Sequence, residues 1–321
     1  MEIVMAKTRK YYIGIDLGGT FIKGGIVDDG GGIIIKDKIP TESGKGAEAV
    51  IDNMIRLCNS LLSLANMTAA DVQGVGIGIP GMVDSQTGAV IFATNLGWGN
   101  IPLGGPISKA LGLPVKLTND ANAAALGEFR FGGGKHRNSA VMLTIGTGIG
   151  GGVIIDGRIF EGNRSAGAEL GHEVIVAGGE PCTCGRRGCL EAYTSATALI
   201  RETKRAMKAH PESEMWAIGS PDAVDGKTAF TYKDTDPVAA GVVANYIEKL
   251  GIGITNYANI FRPEVIILGG GVCAEGDRLI LPLREFLNRE IYAGTRGPAV
   301  ELVAASLGND AGLLGAAALM M

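Results

Sequence analysis

Two glycine-rich stretches indicate the fold: YYIGIDLGGTFIKGGIVD at residues 11–28 and VMLTIGTGIGGGVIID at residues 141–156. Each is an aliphatic run, a glycine turn and a second aliphatic run that ends in Asp, the pattern of a β-hairpin. When the stretches are aligned, Gly18 falls on Gly146 and the final Asp residues coincide. This repeat predicts two related domains, each with a glycine hairpin, although hairpins with glycine turns resemble one another in general.

The rest of the chain alternates strands with helices. Aliphatic runs at 72–81 and 265–272 also end in glycine, and apolar residues at three-to-four spacing predict helices over 46–64 and 121–129. Another helix, over 237–258, begins with an Asp N-cap and a Pro in its first turn. This alternation predicts an α/β fold. The turn-rich segment from about 209 to 235 is expected to be a surface excursion.

Composition limits the function. The chain has 321 residues, enough for about two domains of roughly 150 residues. Its 29 Lys+Arg and 33 Asp+Glu give a net charge of -4, which argues against nucleic-acid binding through a broad basic surface. No apolar run reaches about 18 residues, so no membrane span is expected. The N-terminus lacks the pattern of a signal peptide, and we expect a cytoplasmic protein.

The sequence DLGGT at residues 16–20 is a candidate phosphate loop. Glycine lets backbone N–H groups approach an anion, and Thr20 adds a hydroxyl donor. A carboxylate at Asp16, after a buried strand, would hold Mg²⁺ beside a nucleotide, and Lys23 would add positive charge. The alternative is a hairpin with a capping Asp. The sequence has no G-x-x-x-x-G-K-[ST] pattern, so this is not a Walker loop, and the turn leads into a second strand rather than a helix, so it is not a dinucleotide-binding turn.

Two further glycine stretches support nucleotide binding. Thr144–Gly148 repeats the pattern of the first loop in the second half of the chain. Gly269–Gly271 closes an aliphatic strand, and we expect the adenosine to lie there. On its own, this triple glycine is better explained as a loose left-handed turn.

A Cys/His cluster predicts a metal site. His172 is followed by Cys182, Cys184 and Cys189 with the spacing H-x9-C-x-C-x4-C. Three thiolates and one imidazole complete the tetrahedral shell of a structural Zn²⁺. The alternative is three free thiols. A closed Zn²⁺ shell has no open position for a substrate water, so its role would be to hold the loop.

Asn119-Asp120 follows the run LPVKLT (113–118), which is predicted to be a strand, and precedes an alanine-rich helix. Ligands of open α/β sheets bind at this end of a strand. An amide beside a carboxylate can grip adjacent sugar hydroxyls, and a carboxylate can steer the nucleophile in phosphoryl transfer. The residues equally allow Asp120 to be only a helix N-cap.

These motifs resemble the ROK family of sugar kinases and sugar-responsive repressors, and within it the glucokinases. The resemblance covers essentially the whole chain. Its most specific part is LTIGTGIGGGVIIDGRIFEGNRSAGAELGH (143–172), followed by CTCGRRGCLE (182–191). It implies the two-domain sugar-kinase/actin-like ATPase fold, related to ribonuclease H, with a cleft between the domains. The small domain would comprise 1–118 and 310–321, and the large domain 119–309.

The resemblance also implies the residue roles. Asp120 would be the general base for the 6-hydroxyl of a hexose. The residues expected to bind the sugar are Gly81, Asn95, Asn119, Asp120, Glu169, His172 and Glu191. Those expected to bind ATP and Mg²⁺ are Asp16, Gly18, Gly19, Thr20, Lys23, Thr144, Gly146, Thr147, Gly148, Gly270 and Gly271. His172 would serve both the Zn²⁺ and the sugar through its two ring nitrogens.

The function expected is ATP-dependent phosphorylation of glucose by a homodimer or homotetramer. N-acetylmannosamine, fructose, mannose and allose are alternative substrates, and polyphosphate is an alternative donor. A sugar-sensing transcription regulator is a different class, disfavoured because only about ten residues precede the first predicted strand. A chaperone-like ATPase would explain the glycine loops but neither the Cys/His cluster nor Asn119-Asp120.

Overall fold

The structure is a computed structural model that describes residues 9–321, apart from the side chain of Thr295. Residues 1–8 lie outside the described part, and with them most of the segment on which the signal-peptide prediction rests. Among the residues described, no helix combines the length and the apolar character needed to cross a membrane.

Strands and helices alternate along residues 9–321, as predicted. The strands there are β1 (Tyr11–Leu17), β2 (Phe21–Asp28), β3 (Ile33–Pro40), β4 (Val72–Ile79), β5 (Met82–Asp84), β6 (Ala89–Ala93), β7 (Trp98–Pro102), β8 (Val115–Asn119), β9 (Ala140–Ile145), β10 (Ile149–Ile155), β11 (Arg158–Ile159), β12 (Val265–Gly269) and β13 (Glu301–Ala304). The α-helices are α1 (Ala47–Leu64), α2 (Gly104–Leu111), α3 (Asp120–Phe131), α4 (Glu191–Thr194), α5 (Ala196–Ala209), α6 (Thr228–Tyr232), α7 (Pro237–Phe261), α8 (Asp277–Glu290) and α9 (Ala311–Ala318).

Two five-stranded sheets share one topology. Their strand orders are β3-β2-β1-β4-β8 and β11-β10-β9-β12-β13. In each sheet the glycine hairpin is antiparallel, and its first strand pairs in parallel with the next long strand, β4 or β12. The repeat in the sequence therefore corresponds to equivalent hairpins in two related sheets, and the predicted α/β fold is confirmed.

Contacts divide the chain into two units whose bounds differ from those of the predicted domains. The first unit holds the described part of Met1–His136 with Ile159–Gly167 and Asn309–Met321, and the second holds Arg137–Arg158 and Ala168–Gly308. The predicted first domain ends at residue 118. The contacts extend it through α3, because α3 packs against α9. They also add the short segment from Ile159 to Gly167, in which Glu161 accepts hydrogen bonds from Ser85, just after β5, and from Thr118 in β8.

Glycine allows α9 to lie directly on its neighbours. A Cβ at Gly315 would overlap the carbonyl oxygen of Ala123 in α3, and a Cβ at Gly76 in β4 would overlap the carbonyl oxygen of Ala316. Backbones can approach this closely only where one partner has no side chain. The small residues of the C-terminal helix AGLLGAAA therefore fix where it docks.

Gly315→Ala is expected to lower the free energy of unfolding by about 2–3 kcal/mol, because the added methyl must push α9 away from α3. Chemical denaturation measures this change. Gly105→Ala in α2 is the matched control, since nothing lies within 4 Å of its Cβ, and it should stay within about 1 kcal/mol of the parent. Equal effects of the two substitutions would contradict the close packing of α9.

The second unit has an aliphatic core beneath α5, α7 and α8. Helix α7 begins as predicted, with the Asp236 carboxylate accepting from the N–H of Val238 at 2.8 Å and Pro237 in the first turn. The expectation that the segment 209–235 is only a surface excursion is wrong. Met215 and Phe230 within it are fully buried, because each contributes an apolar side chain to this core.

Candidate active site

The first glycine hairpin places Asp16 at the end of β1. Asp16 pairs with Lys23 across the β1–β2 ladder, and the Lys23 Nζ lies 3.5 Å from the Asp16 carboxylate. The turn is closed by the N–H of Gly18, which donates to the carbonyl of Phe21 at 3.0 Å. The hydroxyl of buried Thr41 donates to the carbonyl of Gly18 at 2.7 Å. These contacts therefore hold the loop at its base and leave its tip exposed.

The tips of both glycine loops are open. A Cβ at Gly19 or Gly146 would have no heavy atom within 4 Å, and neither residue has a positive φ. The protein's own packing thus requires no glycine at these positions. An anion that approaches the backbone N–H groups would require one, since a side chain would block it. Thr20 and Thr147 lie beside them with exposed side chains.

The second loop is anchored to the start of α5. The N–H of Gly146 donates to the carbonyl of Gly148 at 2.9 Å, which closes the turn after Thr144 in β9. The N–H of Ala196 donates to the carbonyl of Gly146, and the Thr197 hydroxyl donates to that of Thr147 at 2.8 Å. This arrangement holds the loop while leaving its outer face free.

Gly270 lies directly beside this loop. Its φ of 97° lies in the region that favours glycine, and its ψ of 176° differs from that of a left-handed helical turn. A Cβ at Gly270 would overlap the carbonyl oxygen of Ile145, the last residue of β9. Gly271 follows at the start of a short 3-10 helix, where a Cβ would meet nothing within 4 Å. The triple glycine is thus required by packing at one position and open at the next.

The N-terminus of α3 holds the predicted base. Asn119 is the N-cap, because its Oδ1 accepts from the N–H of Ala121 at 2.8 Å and of Asn122 at 3.3 Å. Asp120 is the first residue of the helix, and its Oδ1 also accepts from Ala121, at 2.9 Å. The alternative that Asp120 is merely the N-cap is therefore wrong, since its neighbour has that role.

Asp120 and Asp16 lie on either side of Gly78. Asp16 is opposite Gly78 in the β1–β4 ladder, and a Cβ on Gly78 would lie 3.7 Å from the Cα of Asp120. Burial raises the pKa of Asp120 to about 6; the N–H of Ala121 opposes this rise and the charge of Asp16 adds to it. Burial also raises the pKa of Asp16, against the effect of Lys23. A carboxylate with a pKa near neutrality is suited to accept a proton.

Gly81 and Asn119 meet through a hydrogen bond. The Asn119 Nδ2 donates to the carbonyl of Gly81 at 3.0 Å. Gly81 has a φ of 133°, and a Cβ there would overlap the carbonyl oxygen of Phe92 in β6. Asn95 lies just beyond β6, exposed in a 3-10 turn. The first unit therefore brings the backbone of Gly81 and the amide of Asn119 together beside the base.

The Cys/His cluster is assembled as predicted. One ligand atom from each of His172, Cys182, Cys184 and Cys189 lies within 4.8 Å of all the others. The Cys184 and Cys189 Sγ atoms are 3.7 Å apart, and the Cys182 Sγ is 3.6 Å from the His172 Nδ1. Two isolated bridges, Val174–Cys189 and Pro181–Arg187, close the loop. The alternative of three unrelated thiols does not explain this convergence.

Two glutamates border the cluster. Glu169 is exposed and begins the 3-10 turn that ends at His172. Glu191 begins α4, where its Oε2 accepts from the N–H of Ile149 at 2.8 Å and its Oε1 accepts from the Thr183 hydroxyl at 2.8 Å. A Cβ at Gly148 would overlap Glu191 Oε2. Glu191 thus joins the Cys/His loop to the second glycine loop.

Sequence reasoning missed several residues that hold these groups. The Tyr257 hydroxyl donates to the carbonyl of Leu170, and the Asn256 Nδ2 donates to Glu173 at 2.6 Å, so α7 fixes the turn that carries His172. In the first unit, Glu161 accepts from hydroxyl groups 43 and 76 residues away. No spacing pattern in a sequence marks partners this distant.

Comparisons with known proteins show which family the chain resembles over nearly its whole length. The model of the ROK family matches residues 12–321. A glucokinase of Streptomyces coelicolor is 38% identical over 310 residues, which cover 95% of this chain and 96% of that protein. The crystal structure of a ROK family glucokinase from Streptomyces griseus in complex with glucose and AMPPNP has 38% identity and a TM-score of 0.78, covering 96% of this chain and 98% of that one.

A repressor is also similar. The xylose repressor of Caldicellulosiruptor bescii is 32% identical over 281 residues, which cover 87% of this chain and 70% of that protein. The family thus joins kinases and regulators on one architecture. Because the family match spans both repeated sheets, both glycine hairpins, Asn119-Asp120 and the Cys/His cluster, the chain belongs to the ROK family.

Proposed function

We propose that this chain transfers the terminal phosphoryl group of ATP to the 6-hydroxyl of glucose. The observation that carries the proposal is the Asn119-Asp120 pair, a carboxylate of raised pKa beside an amide that is already fixed on the carbonyl of Gly81. The similarity to glucokinases over nearly the whole chain supports glucose as the substrate.

Asp120 acts as the general base in this proposal. Its carboxylate accepts the proton of the sugar hydroxyl while the oxygen forms its bond to the phosphorus and the bond to the ADP oxygen breaks. The N–H of Ala121 holds one carboxylate oxygen. The other carboxylate oxygen, Oδ2, is then available to the substrate. Because the carboxylate is already oriented, no free energy is needed to reorient it for proton transfer.

The glycine loops bind the phosphates through their backbone. Gly19 and Gly146 have the open space that an anion needs, with the hydroxyls of Thr20 and Thr147 beside them. Gly271, which is open in the same way, leaves room for the adenosine. The Asp16 carboxylate fits a magnesium ligand because it is a partly exposed oxygen donor next to the first glycine loop. When bound, Mg²⁺ neutralises charge on the phosphate oxygens.

The Cys/His cluster fits a structural Zn²⁺. Tetrahedral bond lengths predict about 3.8 Å between two sulfur ligands and about 3.6 Å between sulfur and nitrogen. The observed distances of 3.7 Å and 3.6 Å agree with these values. The ion would be held by His172, Cys182, Cys184 and Cys189 and would stabilise the loop that carries the glutamates. The Nε2 of His172 is then left for the sugar.

The remaining sugar contacts come from both glutamates and from Asn95. Glu169 is exposed and free to accept from sugar hydroxyls. Glu191 already accepts from Ile149 and Thr183, but a carboxylate has about four acceptor positions, so it can accept a further hydroxyl.

An assay of ADP release with Mg-ATP tests the proposal. Glucose, mannose, fructose, allose and N-acetylmannosamine are compared, with polyphosphate as a second donor. We expect the highest kcat/KM for glucose with ATP, and glucose 6-phosphate as the product. Turnover that does not depend on any sugar would contradict the proposal and favour a simple ATPase.

A sugar-responsive regulator is the second candidate, because the similarity to a xylose repressor covers 87% of this chain. A DNA footprint at physiological salt that disappears on adding sugar would support it. The predicted homodimer or homotetramer stays a prediction, which sedimentation equilibrium would test.

A further inference from the structure

We propose that Glu161 is a positioning residue for the sugar site. Its carboxylate fastens together the two chain segments that carry Gly81 and Asn119. The proposal rests on the proposed role of those two residues in sugar binding. Glu161 itself carries none of the predicted functions and touches neither Asn119 nor Asp120 in the hydrogen bonds of the described residues.

Three hydroxyl groups converge on the Glu161 carboxylate. The Ser85 Oγ donates to Oε2 at 2.6 Å, the Ser165 Oγ donates to the same oxygen at 3.2 Å, and the Thr118 Oγ1 donates to Oε1 at 3.0 Å. Thr118 is fully buried. Hydrogen bonds to an ionised acceptor are about twice as strong as neutral ones, so this cluster holds its members firmly.

The cluster and the Asn119–Gly81 bond form two fastenings between the same segments. One segment runs from Gly81 through β5 to Ser85, and the other is the end of β8 at Thr118 and Asn119. Asn119 joins the first segment at Gly81, and Glu161 joins it at Ser85. A single fastening would let the segments pivot, whereas two fix their relative orientation.

The backbone around Ser165 adds a second observation. Arg164 and Ser165 have φ values of 51° and 55°, in the left-handed region that side chains disfavour. The Ser165 hydroxyl, besides its bond to Glu161, accepts from the N–H of Ser85 at 3.4 Å. Such a conformation persists only where surrounding contacts determine it. The contacts that hold the turn here include the Glu161 carboxylate on the Ser165 hydroxyl and the N–H of Gly167, which donates to the Glu161 carbonyl at 2.8 Å.

A glutamine in place of Glu161 would keep the size and shape of the side chain but could not accept all three hydrogen bonds. Its amide nitrogen donates and cannot accept, so at least one of the three hydroxyls would lose its acceptor. The Gly81 and Asn119 segments would then separate at one end. The first glycine loop should be unaffected, because Thr41 anchors it independently.

Glu161→Gln is therefore expected to raise the KM and the Kd for glucose by about tenfold, the size of one lost hydrogen bond to a charged group. The KM for ATP should stay within about twofold of the parent's. A general loss of stability would not affect the glucose KM alone in this way. Thr118→Val should raise the glucose KM in the same direction, and Thr118→Ser should keep the parent's sugar affinity. Because both substitutions act on one cluster, the Glu161→Gln/Thr118→Val double variant should show less than the product of the two single effects. Glu48→Gln, on the exposed face of α1, is the matched control.

Hydrogen exchange gives a readout that needs no activity. We expect faster exchange in Glu161→Gln over residues 80–86 and 115–122, with unchanged exchange over 11–28. If the parent protein shows no sugar-dependent turnover, the proposed function fails while exchange still tests the fastening. If the parent is active and the glucose KM of Glu161→Gln stays within twofold of the parent's, the positioning role is wrong. It is also wrong if hydrogen exchange in Glu161→Gln rises uniformly along the chain.

Discussion

Asp120→Asn is expected to lower kcat for glucose phosphorylation by at least about 10²-fold, the usual scale for losing a general base. The glucose Kd should change little, because Asn119 and the bond to Ala121 keep their geometry and an asparagine can still accept at Oδ1. Steady-state kinetics and a direct binding titration measure the two quantities. Asp37→Asn on exposed β3 is the matched control.

The pH dependence follows from the raised pKa. Because Asp120 must be ionised to accept a proton, activity should fall as the pH drops through about 6 rather than through about 4. A raised carboxyl pKa means that the folded state disfavours the charge. Its destabilising contribution is absent below the unfolded pKa near 4 and complete above 6.

Asp120→Asn should therefore be more stable than the parent at pH 8, by up to about 3 kcal/mol, and equal to it near pH 4. Denaturation at both pH values measures this difference. A variant that is inactive but no more stable than the parent at pH 8 would support the catalytic role of Asp120 and contradict the destabilising effect of its buried charge. A fully active variant would show that Asp120 is not the base.

Cys184→Ser is expected to abolish stoichiometric zinc binding and to lower the free energy of unfolding by about 3–5 kcal/mol, because metal binding is coupled to folding of the loop. The glucose KM should also rise, since Glu191 lies 3.7 Å from the Cys182 thiol and shares this loop through Thr183. Metal analysis, denaturation and kinetics give the three readouts.

The matched control is Cys273→Ser, outside the cluster. The Cys273 thiol is half-buried and donates to the carbonyl of Gly269 at 3.2 Å, a bond that a serine can keep. This variant should retain its zinc. A folded, zinc-free Cys184→Ser protein with an unchanged glucose KM would refute the link between the metal loop and the sugar.

Much of the candidate site was predictable because its chemistry lies in short, contiguous motifs. A short stretch of sequence is enough to recognise each glycine hairpin, the Cys/His spacing and the Asn119-Asp120 pair. The repeat between the hairpins indicated two related domains, since a hairpin is a local structure, but the strand order of the two sheets came only from the structure. The ambiguity over Asp120 could not be resolved, because Asn119 and Asp120 are both good N-cap residues and only the backbone geometry decides between them.

The unit boundaries could not be predicted in the same way. The residues from Ile159 to Gly167 are flanked by the second unit in sequence but belong to the first through side-chain hydrogen bonds. Helix α3 joins the first unit because Gly315 permits backbone contact with α9. Such choices depend on the hydrogen bonds of Glu161 to hydroxyl groups 43 and 76 residues away and on the packing of Gly315 against Ala123, all beyond the reach of a local pattern.

The sequence by itself determined the α/β class, the hairpin repeat, the Cys/His cluster and the candidate base, because local spacing encodes each of them. Tertiary structure alone decided the raised pKa of Asp120, which depends on burial and on Asp16 across Gly78. It alone decided the convergence of Ser85, Thr118 and Ser165 on Glu161. Burial and the contacts between distant segments are properties of the folded chain, so no local pattern can contain them.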